Sequence, residues 1–190
     1  MTDAPDTQAD APARLYVDAL SRRDKARRFV WQIARALFFA PFPGRIFKRW
    51  RIAILRLFGA RIGTGCRVDA SCKVWWPAHL QMGDYACLAD GVDCYNVAPI
   101  TLGDHATVSQ RAFLCAASHA TDQLTRPLIF APITIAAHAW ICAEAFVGPG
   151  ISVGEGAVLG ARGVATRDLD PWTIYAGNPA RALKPRQIRP

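Results

Sequence analysis

The stretch ITIAAHAWICAEAFVGPGISVGEGAVLGARGVA, residues 133–165, decides the fold of this chain. An aliphatic residue or alanine recurs in it at every sixth position: Ile135, Ile141, Val147, Val153, Leu159 and Ala165. An α-helix repeats its buried face about every 3.6 residues and a half-buried strand about every 2, so neither element produces this period. A period of six is typical of short strands joined by tight corners.

The same period continues towards the N-terminus, where only two-residue offsets before Met82 and Leu102 interrupt it. The earlier anchors are Ile62, Val68, Val74, Met82, Leu88, Cys94, Leu102, Val108 and Leu114. A small residue follows most anchors at the fourth position, as a crowded corner requires. Three such strands make a coil of eighteen residues, and stacked coils bury a continuous aliphatic column. The sequence therefore predicts a mainly β fold, a parallel β-helix of about five coils over residues 61–170.

Composition and charge exclude several other classes of protein. The chain has 190 residues, 52% of them hydrophobic, which suits one globular domain. Residues 1–20 carry acids where a secretory signal has basic residues, and we expect a disordered, non-exported tail there. No apolar run approaches the roughly 20 residues of a membrane span. The six cysteines show no paired spacing typical of disulfides or zinc, so we expect a cytoplasmic protein without a metal.

Residues 21–60 form a basic segment that we expect to be helical and amphipathic. The chain has a net charge of +8, and residues 21–61 hold twelve Lys or Arg against one acid. Two helices are predicted between Asp24 and Phe58, separated by APFPG. One apolar face of the second would comprise Ile46, Phe47, Trp50, Ile54, Leu57 and Phe58. This segment would cap the open end of the solenoid or lie on an anionic membrane surface, and the two roles are compatible. Nothing in the charge pattern requires nucleic acid as a partner.

The period breaks after Leu114, because the next anchor, Ile135, follows twenty-one residues later. This spacing predicts a long loop over residues 120–134, which begins directly after His119. A long loop in a regular solenoid is usually functional, because the solenoid does not need it. From position alone His119 is either a catalytic base or a corner residue that hydrogen-bonds to the loop.

Four motifs carry a resemblance to a known family: DCYNVAPITLGDH (93–105), SHATD (118–122), APITIAAHAWICAEAFVGPG (131–150) and AGNPAR (176–181). With them the chain resembles the hexapeptide-repeat acyltransferases, in particular maltose and galactoside O-acetyltransferases and the colanic-acid-type exopolysaccharide acetyltransferases. The resemblance implies that the β-helix is left-handed. It also implies acetyl-CoA as cosubstrate and a homotrimer whose active sites lie between neighbouring subunits.

The resemblance also assigns roles to individual residues. It makes His119 the general base and places short polar residues, here Asp93 and Asn96, at the acceptor sugar. Trp140 offers a flat face for a sugar ring or packs between coils. The coenzyme would contact two small residues, Ala143 and Ala161, and the next corner at Thr166 and Arg167. It would also contact the C-terminal tail (171–190) at Arg181 and Lys184.

The predicted function is acetyl-CoA-dependent O-acetylation of a sugar hydroxyl in exopolysaccharide biosynthesis, by direct transfer in a ternary complex. Imidazole suits this reaction because it is largely neutral near pH 7 and can both accept and return a proton. Two alternatives remain open at this level. One is N-acetylation of an amino sugar or antibiotic, and the other is a non-catalytic scaffold. A position on the inner face of the cytoplasmic membrane agrees with the basic segment.

Overall fold

A computed structural model describes residues 21–188 of the chain. The tail predicted for residues 1–20 lies outside the described residues, as do the last two residues of the C-terminal tail. The described part begins with helix α1 (Arg22–Ala34), which continues into a π-helical turn (Arg35–Phe39) and is followed by helix α2 (Lys48–Leu57). All strands of the described residues follow these helices.

The strands form five complete coils and the start of a sixth. Coils one to three contain β1 Arg61–Ile62, β2 Arg67–Val68, β3 Lys73–Val74, β4 Leu80–Met82, β5 Cys87–Leu88, β6 Asp93–Tyr95, β7 Ile100–Leu102, β8 Thr107–Val108 and β9 Phe113–Cys115. A hairpin of β10 Ala117–His119 and β11 Leu128–Phe130 then leaves the solenoid. Coils four and five contain β12 Ile133–Ile135, β13 Trp140–Ile141, β14 Phe146–Val147, β15 Ser152–Val153, β16 Val158–Leu159 and β17 Val164–Ala165. The last strands of the described part are β18 Thr173–Ala176 and β19 Arg181–Pro185.

Equivalent strands of successive coils pair in parallel and make three sheets. The first sheet is β1-β4-β7-β12-β15, the third is β3-β6-β9-β14-β17, and the second contains β2-β5-β8-β13-β16-β18 with β19 added antiparallel. We name the edges of this prism by the sheets they join: the first edge leads from first to second sheet, the second edge from second to third, and the third edge from third to first. The aliphatic anchors point inward and form one core, as the six-residue period predicts.

The corners are tight because small residues occupy them. Ala86, Ala106, Ala112 and Ala145 are completely buried at the fourth position after their anchors. At Gly103 an added Cβ would come within 2.5 Å of the backbone nitrogen of Ala137 in the next coil. A side chain at that position would therefore push two coils apart.

The two N-terminal helices cover the first coil and supply the hydrogen bonds that it lacks. In each coil the N–H of the residue after an anchor donates to the carbonyl of the equivalent anchor in the following coil. The anchor carbonyls of the first coil would need donors from a preceding coil, and no coil precedes the first one in the described residues. Three side chains donate to them instead. Arg56 Nε bonds the carbonyl of Ile62 at 3.2 Å, Arg51 Nε that of Val68 at 2.9 Å, and Trp31 Nε1 that of Val74 at 2.7 Å.

This capping corrects the predicted face of α2. The buried residues of the helix are Arg51, Ile52, Ile54 and Leu55. Leu57 and Ile46, which the apolar pattern places on the inner face, are 82% and 84% exposed. The physical reason is that a buried carbonyl without a donor destabilises the fold more than an exposed Leu side chain does. The helix therefore turns a hydrogen-bond donor inward.

The predicted loop is a β-hairpin rather than an irregular segment. It leaves the coil at Ala117, before His119, and its second strand ends at Phe130. Ile133 and Thr134, which the prediction included in the loop, belong to β12. No helix between residues 21 and 188 has the length and apolar character needed to cross a membrane.

Candidate active site

His119 lies on the hairpin at the third edge of the prism. Strand β10 pairs antiparallel with β11, and His119 stands opposite Leu128 in the register. Two contacts anchor the base of the hairpin: the N–H of Ala116 donates to the carbonyl of Tyr95 at 3.1 Å, and the N–H of Ala131 donates to the carbonyl of Ala116 at 3.1 Å. The side chain of His119 is exposed in the single chain.

The hairpin determines which nitrogen of His119 carries the proton. Its Nδ1 lies 2.6 Å from the carbonyl oxygen of Arg126, on the other arm of the hairpin. A carbonyl can only accept, so Nδ1 must be the protonated nitrogen and donate. In the neutral ring Nε2 therefore carries the lone pair, which is the state that a general base requires. No pattern in the sequence indicates this contact, because the partner is a backbone atom.

Thr166 and Arg167 lie on the same edge as His119, two coils further along. Both side chains are exposed, and the adjacent Asp168 accepts a hydrogen bond from the N–H of Ser152 at 2.7 Å. Gly150, between the hairpin and this corner, has φ of +76°, and a Cβ there would lie 3.3 Å from the Cβ of Ala131. Between the coils of His119 and Thr166 this edge is formed by Gly148, Pro149 and Gly150, of which Gly150 is exposed.

Ala143 and Ala161 lie on the second edge, in adjacent coils, and the N–H of Arg162 donates to the carbonyl of Ala143 at 3.0 Å. Next to them Glu144 bonds Arg162 Nε at 2.6 Å and Arg111 Nε at 3.0 Å. The hydrogen bonds from Arg162 and Arg111 hold the pKa of the Glu144 carboxyl below its usual value. Because the third sheet separates this edge from His119, one chain does not bring the two sets of predicted residues together.

The two residues predicted at the acceptor sugar differ in accessibility. Asp93, on β6, is half-exposed and lies 3.6 Å from Lys73 Nζ. Asn96 is completely buried. Its Oδ1 accepts from the N–H of Trp76 at 2.9 Å, and its Nδ2 donates to the carbonyl of Trp76 at 2.6 Å. Asn96 therefore holds two coils together, and none of its atoms is exposed for a sugar to contact in this chain.

Trp140 lies on the second sheet, away from the third edge. Its Nε1 donates to Ser109 Oγ at 2.8 Å, and its ring is 45% exposed. The ring lines a shallow pocket of about 230 Å³ with His105, His138 and Arg186. Trp140 therefore does not contact an acceptor that is bound at His119 of the same chain.

Arg181 and Lys184 lie on β19, at the end of the solenoid, and both are exposed. Lys184 stands opposite Ile174 of β18. The tail continues to Arg186, whose Nη1 donates to the carbonyls of His138 and Gly156 at 2.9 Å each. Arg186, which the sequence reasoning did not single out, thus fastens the tail to the first edge.

The thiols near the site are suited to packing. Cys115 Sγ donates to the carbonyl of Ala117 at 3.0 Å and so braces the hairpin. Burial is the main cause of its raised pKa, which disfavours the nucleophilic thiolate. Burial also raises the pKa of Cys72 and Cys94 in the core. Within residues 21–188, His, Cys, Asp and Glu form no group of three that could hold a metal ion.

Comparisons with known proteins agree with this architecture, although no protein-family model matches the chain. The putative colanic acid biosynthesis acetyltransferase WcaF of Escherichia coli K12 is 36% identical over 157 residues, covering 83% of this chain and 86% of that protein.

Two solved structures share the fold. A hexapeptide-repeat acetyltransferase of Vibrio cholerae, complexed with acetyl-CoA, superposes with a TM-score of 0.80 at 24% identity, over 90% of this chain and 93% of that one. A maltose O-acetyltransferase of Clostridium difficile 630 gives a TM-score of 0.75 at 23% identity, over 88% and 90% of the two chains. The solenoid is therefore the left-handed β-helix of these enzymes. The repeat pattern, the coil geometry and the similarity to WcaF together show that this chain belongs to the hexapeptide-repeat acetyltransferase family.

Proposed function

We propose that the chain is an acetyl-CoA-dependent O-acetyltransferase that modifies a sugar hydroxyl during exopolysaccharide biosynthesis, with His119 as the general base. The observation that carries this proposal is the 2.6 Å contact between His119 Nδ1 and the carbonyl of Arg126, which makes Nδ1 the donor and so places the lone pair of the neutral ring on Nε2. The similarity to a colanic acid biosynthesis acetyltransferase supports the choice of a saccharide acceptor.

The proposed reaction needs one base and no covalent enzyme intermediate. His119 Nε2 takes the proton of the sugar hydroxyl while the hydroxyl oxygen attacks the thioester carbonyl carbon. The tetrahedral intermediate then collapses, its C–S bond breaks, and the departing coenzyme A sulfur receives the proton from Nε2. The donated hydrogen bond from Nδ1 to Arg126 stabilises the imidazolium that forms between the two steps.

A homotrimer is the proposed working form. Four of the residues predicted to contact the coenzyme lie on two different edges: Thr166 and Arg167 share the third edge with His119, and Ala143 and Ala161 lie on the second edge. A neighbouring copy that presents its second edge to the third edge of this chain would complete the groove. Arg181 and Lys184, at the exposed end of the solenoid, are the proposed contacts for the phosphates of the coenzyme.

Peripheral contact with the inner face of the cytoplasmic membrane is also proposed, through residues 24–58. Phe29, Leu37 and Phe38 are 64%, 58% and 50% exposed, and exposed Arg and Lys residues surround them. Exposed apolar side chains among cations suit an anionic lipid surface. The protein should float with phosphatidylglycerol-containing vesicles, and Phe29→Ser/Phe38→Ser should float less. Equal flotation of the variant and the wild type would contradict this contact.

His119→Asn is the sharpest test of the base. The Asn amide can still donate to the carbonyl of Arg126, so the hairpin keeps its contact, but it cannot accept a proton. The rate of acetyl transfer should fall about 10²- to 10⁴-fold, which is the usual worth of a general base. Coenzyme A binding, measured by calorimetry, should stay unchanged.

His105→Ala is the matched control, because His105 is an exposed histidine on the first edge. Its acetyl transfer rate should equal that of the wild type. Wild-type turnover by His119→Asn would show that another group is the base.

A further inference from the structure

A basic cleft lies between the N-terminal helices and the third sheet. Its volume is about 240 Å³, and it runs from α1 and the π-helical turn to strands β3 and β6. Three cations line it, Arg28, Arg35 and Lys73, against the single acid Asp93 among its described lining residues. The cleft therefore favours an anion.

The state of these cations points to an anion with several oxygens. The Nε of Arg35 is buried and makes no hydrogen bond within the described part of the chain. The guanidinium of Arg28 stacks over the ring of Trp75 at 3.5 Å, which fixes its plane at one wall of the cleft. Arginine forks bind phosphate oxygens through paired hydrogen bonds, and such an oxygen would give the Arg35 donor a partner.

An apolar groove continues from this cleft. Its volume is about 570 Å³, and it shares Arg28 and Trp31 with the basic cleft. Val30, Phe58 and Pro77 are among its walls. Val30, on the wall of the groove, is 55% exposed and follows Phe29 of α1, for which membrane contact is proposed. An apolar chain that enters from a lipid surface would thus reach the cations directly.

The cleft also leads to His119. In the register of the third sheet Lys73 pairs with Asp93, and Asp93 pairs with Phe113. Two strand spacings, about 10 Å, therefore separate Lys73 from the strand that runs into the hairpin. Tyr95, at the near end of the cleft, accepts the backbone hydrogen bond of Ala116 at the base of that hairpin.

We propose that this cleft binds the diphosphate of a polyprenyl-diphosphate-linked saccharide, that the apolar groove holds the first isoprene units, and that the saccharide extends past Asp93 to His119. The assignment rests on the proposed function, because it names the acceptor class of that reaction. The protein would then acetylate its acceptor while the acceptor is still attached to its lipid carrier.

Binding of farnesyl diphosphate to the full chain, measured by calorimetry with saturating coenzyme A in the donor site, tests the proposal. Farnesyl diphosphate should bind at least tenfold more tightly than farnesol and than UDP-glucose. Arg35→Gln/Lys73→Gln should weaken it at least tenfold. Arg61→Gln/Arg67→Gln is the matched control, because it removes two exposed cations of the first coil from the other two sheets, and it should change binding less than twofold.

Several outcomes would overturn the proposal. One is that the wild type and Arg35→Gln/Lys73→Gln bind farnesyl diphosphate equally tightly. Another is that the two double variants lose the same amount of affinity for it. A third is that the wild type binds UDP-glucose as tightly as farnesyl diphosphate. If Arg35→Gln/Lys73→Gln fails to fold, Lys73→Glu replaces it, because a substitution of a side chain that is 65% exposed should leave the fold intact. Lys73→Glu should weaken the binding of farnesyl diphosphate more than Arg61→Glu does. His119→Asn should bind farnesyl diphosphate like the wild type, so failure of the cleft and failure of the base are separate results.

Discussion

At the scale of single residues, the contacts of a side chain decide its role more than its type. Asn96 directly follows strand β6 of the third sheet, His119 ends strand β10 of the hairpin, and both are polar. Asn96 is completely buried and both ends of its amide bond Trp76, whereas His119 is exposed and one ring nitrogen bonds a carbonyl. The first arrangement stabilises two coils, and the second leaves an exposed ring whose protonated nitrogen is Nδ1, which suits the proposed general base.

Glu144 leads to a prediction about how the stability of the protein depends on pH. The two arginine partners depress its folded-state pKa, so its ion pairs stabilise the protein above the usual carboxyl pKa of 4.5. This stability is lost as the pH falls through the lower folded-state pKa. Urea unfolding at several pH values should show Glu144→Gln less stable than the wild type at pH 7, with the difference vanishing in acid.

Glu155→Gln is the control for removing one exposed carboxylate outside this cluster. A Glu144→Gln deficit that stays constant from pH 7 to pH 2 would contradict the ion-pair explanation.

At the scale of elements, the helices α1 and α2 act as the missing preceding coil. Arg51 links the helices to the coil, since it bonds the carbonyl of Val68 in the first coil at 2.9 Å and the carbonyls of Phe42 and Gly44, between the helices, at 2.6 and 3.1 Å. Desolvation is the largest cause of its lowered pKa, and the three carbonyls compensate for that burial. The end of a solenoid is thus closed by hydrogen bonds as well as by apolar packing.

Arg51→Met should lower the free energy of unfolding by about 1 to 3 kcal/mol, because it leaves the carbonyl of buried Val68 without its donor. Urea denaturation measures this change. Arg49→Met is the control, an exposed arginine two positions earlier on the same helix, and it should leave the free energy nearly unchanged. Equal stabilities of the two variants would refute the capping role.

At the scale of the whole molecule, the hairpin is a projecting arm with an apolar surface. Leu124, Ile129 and Phe130 are 90%, 48% and 58% exposed in the single chain. Apolar side chains on a projecting arm suit contact with another copy, which the proposed groove between two edges also needs. Assembly and activity are therefore coupled in this proposal.

Light scattering should give a mass three times that of the 20.8-kDa chain. Ile129→Glu/Phe130→Glu should yield monomers and lose acetyl transfer together, because a charge in an apolar interface is not compensated. Ile46→Glu, an exposed apolar residue outside the hairpin, should remain trimeric. A fully active monomer would overturn the shared-site arrangement.

The repeat was predictable because it is local. Each hexad specifies its own strand and corner, so anchors such as Leu88 and Ile141 are buried where the period places them. The face of α2 was not predictable, because the need for Arg51 arises from carbonyls that lie far along the chain. The distance of Trp140 from His119 was not predictable either, because the six-residue repeat does not specify which sheet lies next to the site.

The amino-acid sequence by itself determined the coil, the core and the coil after which the repeat is interrupted, since these follow from the spacing of neighbouring residues. Only the tertiary structure decided which nitrogen of His119 bears the proton, which polar residues are buried, and that the predicted coenzyme contacts lie on two edges. Those properties depend on backbone atoms and surfaces that meet only when the coils stack.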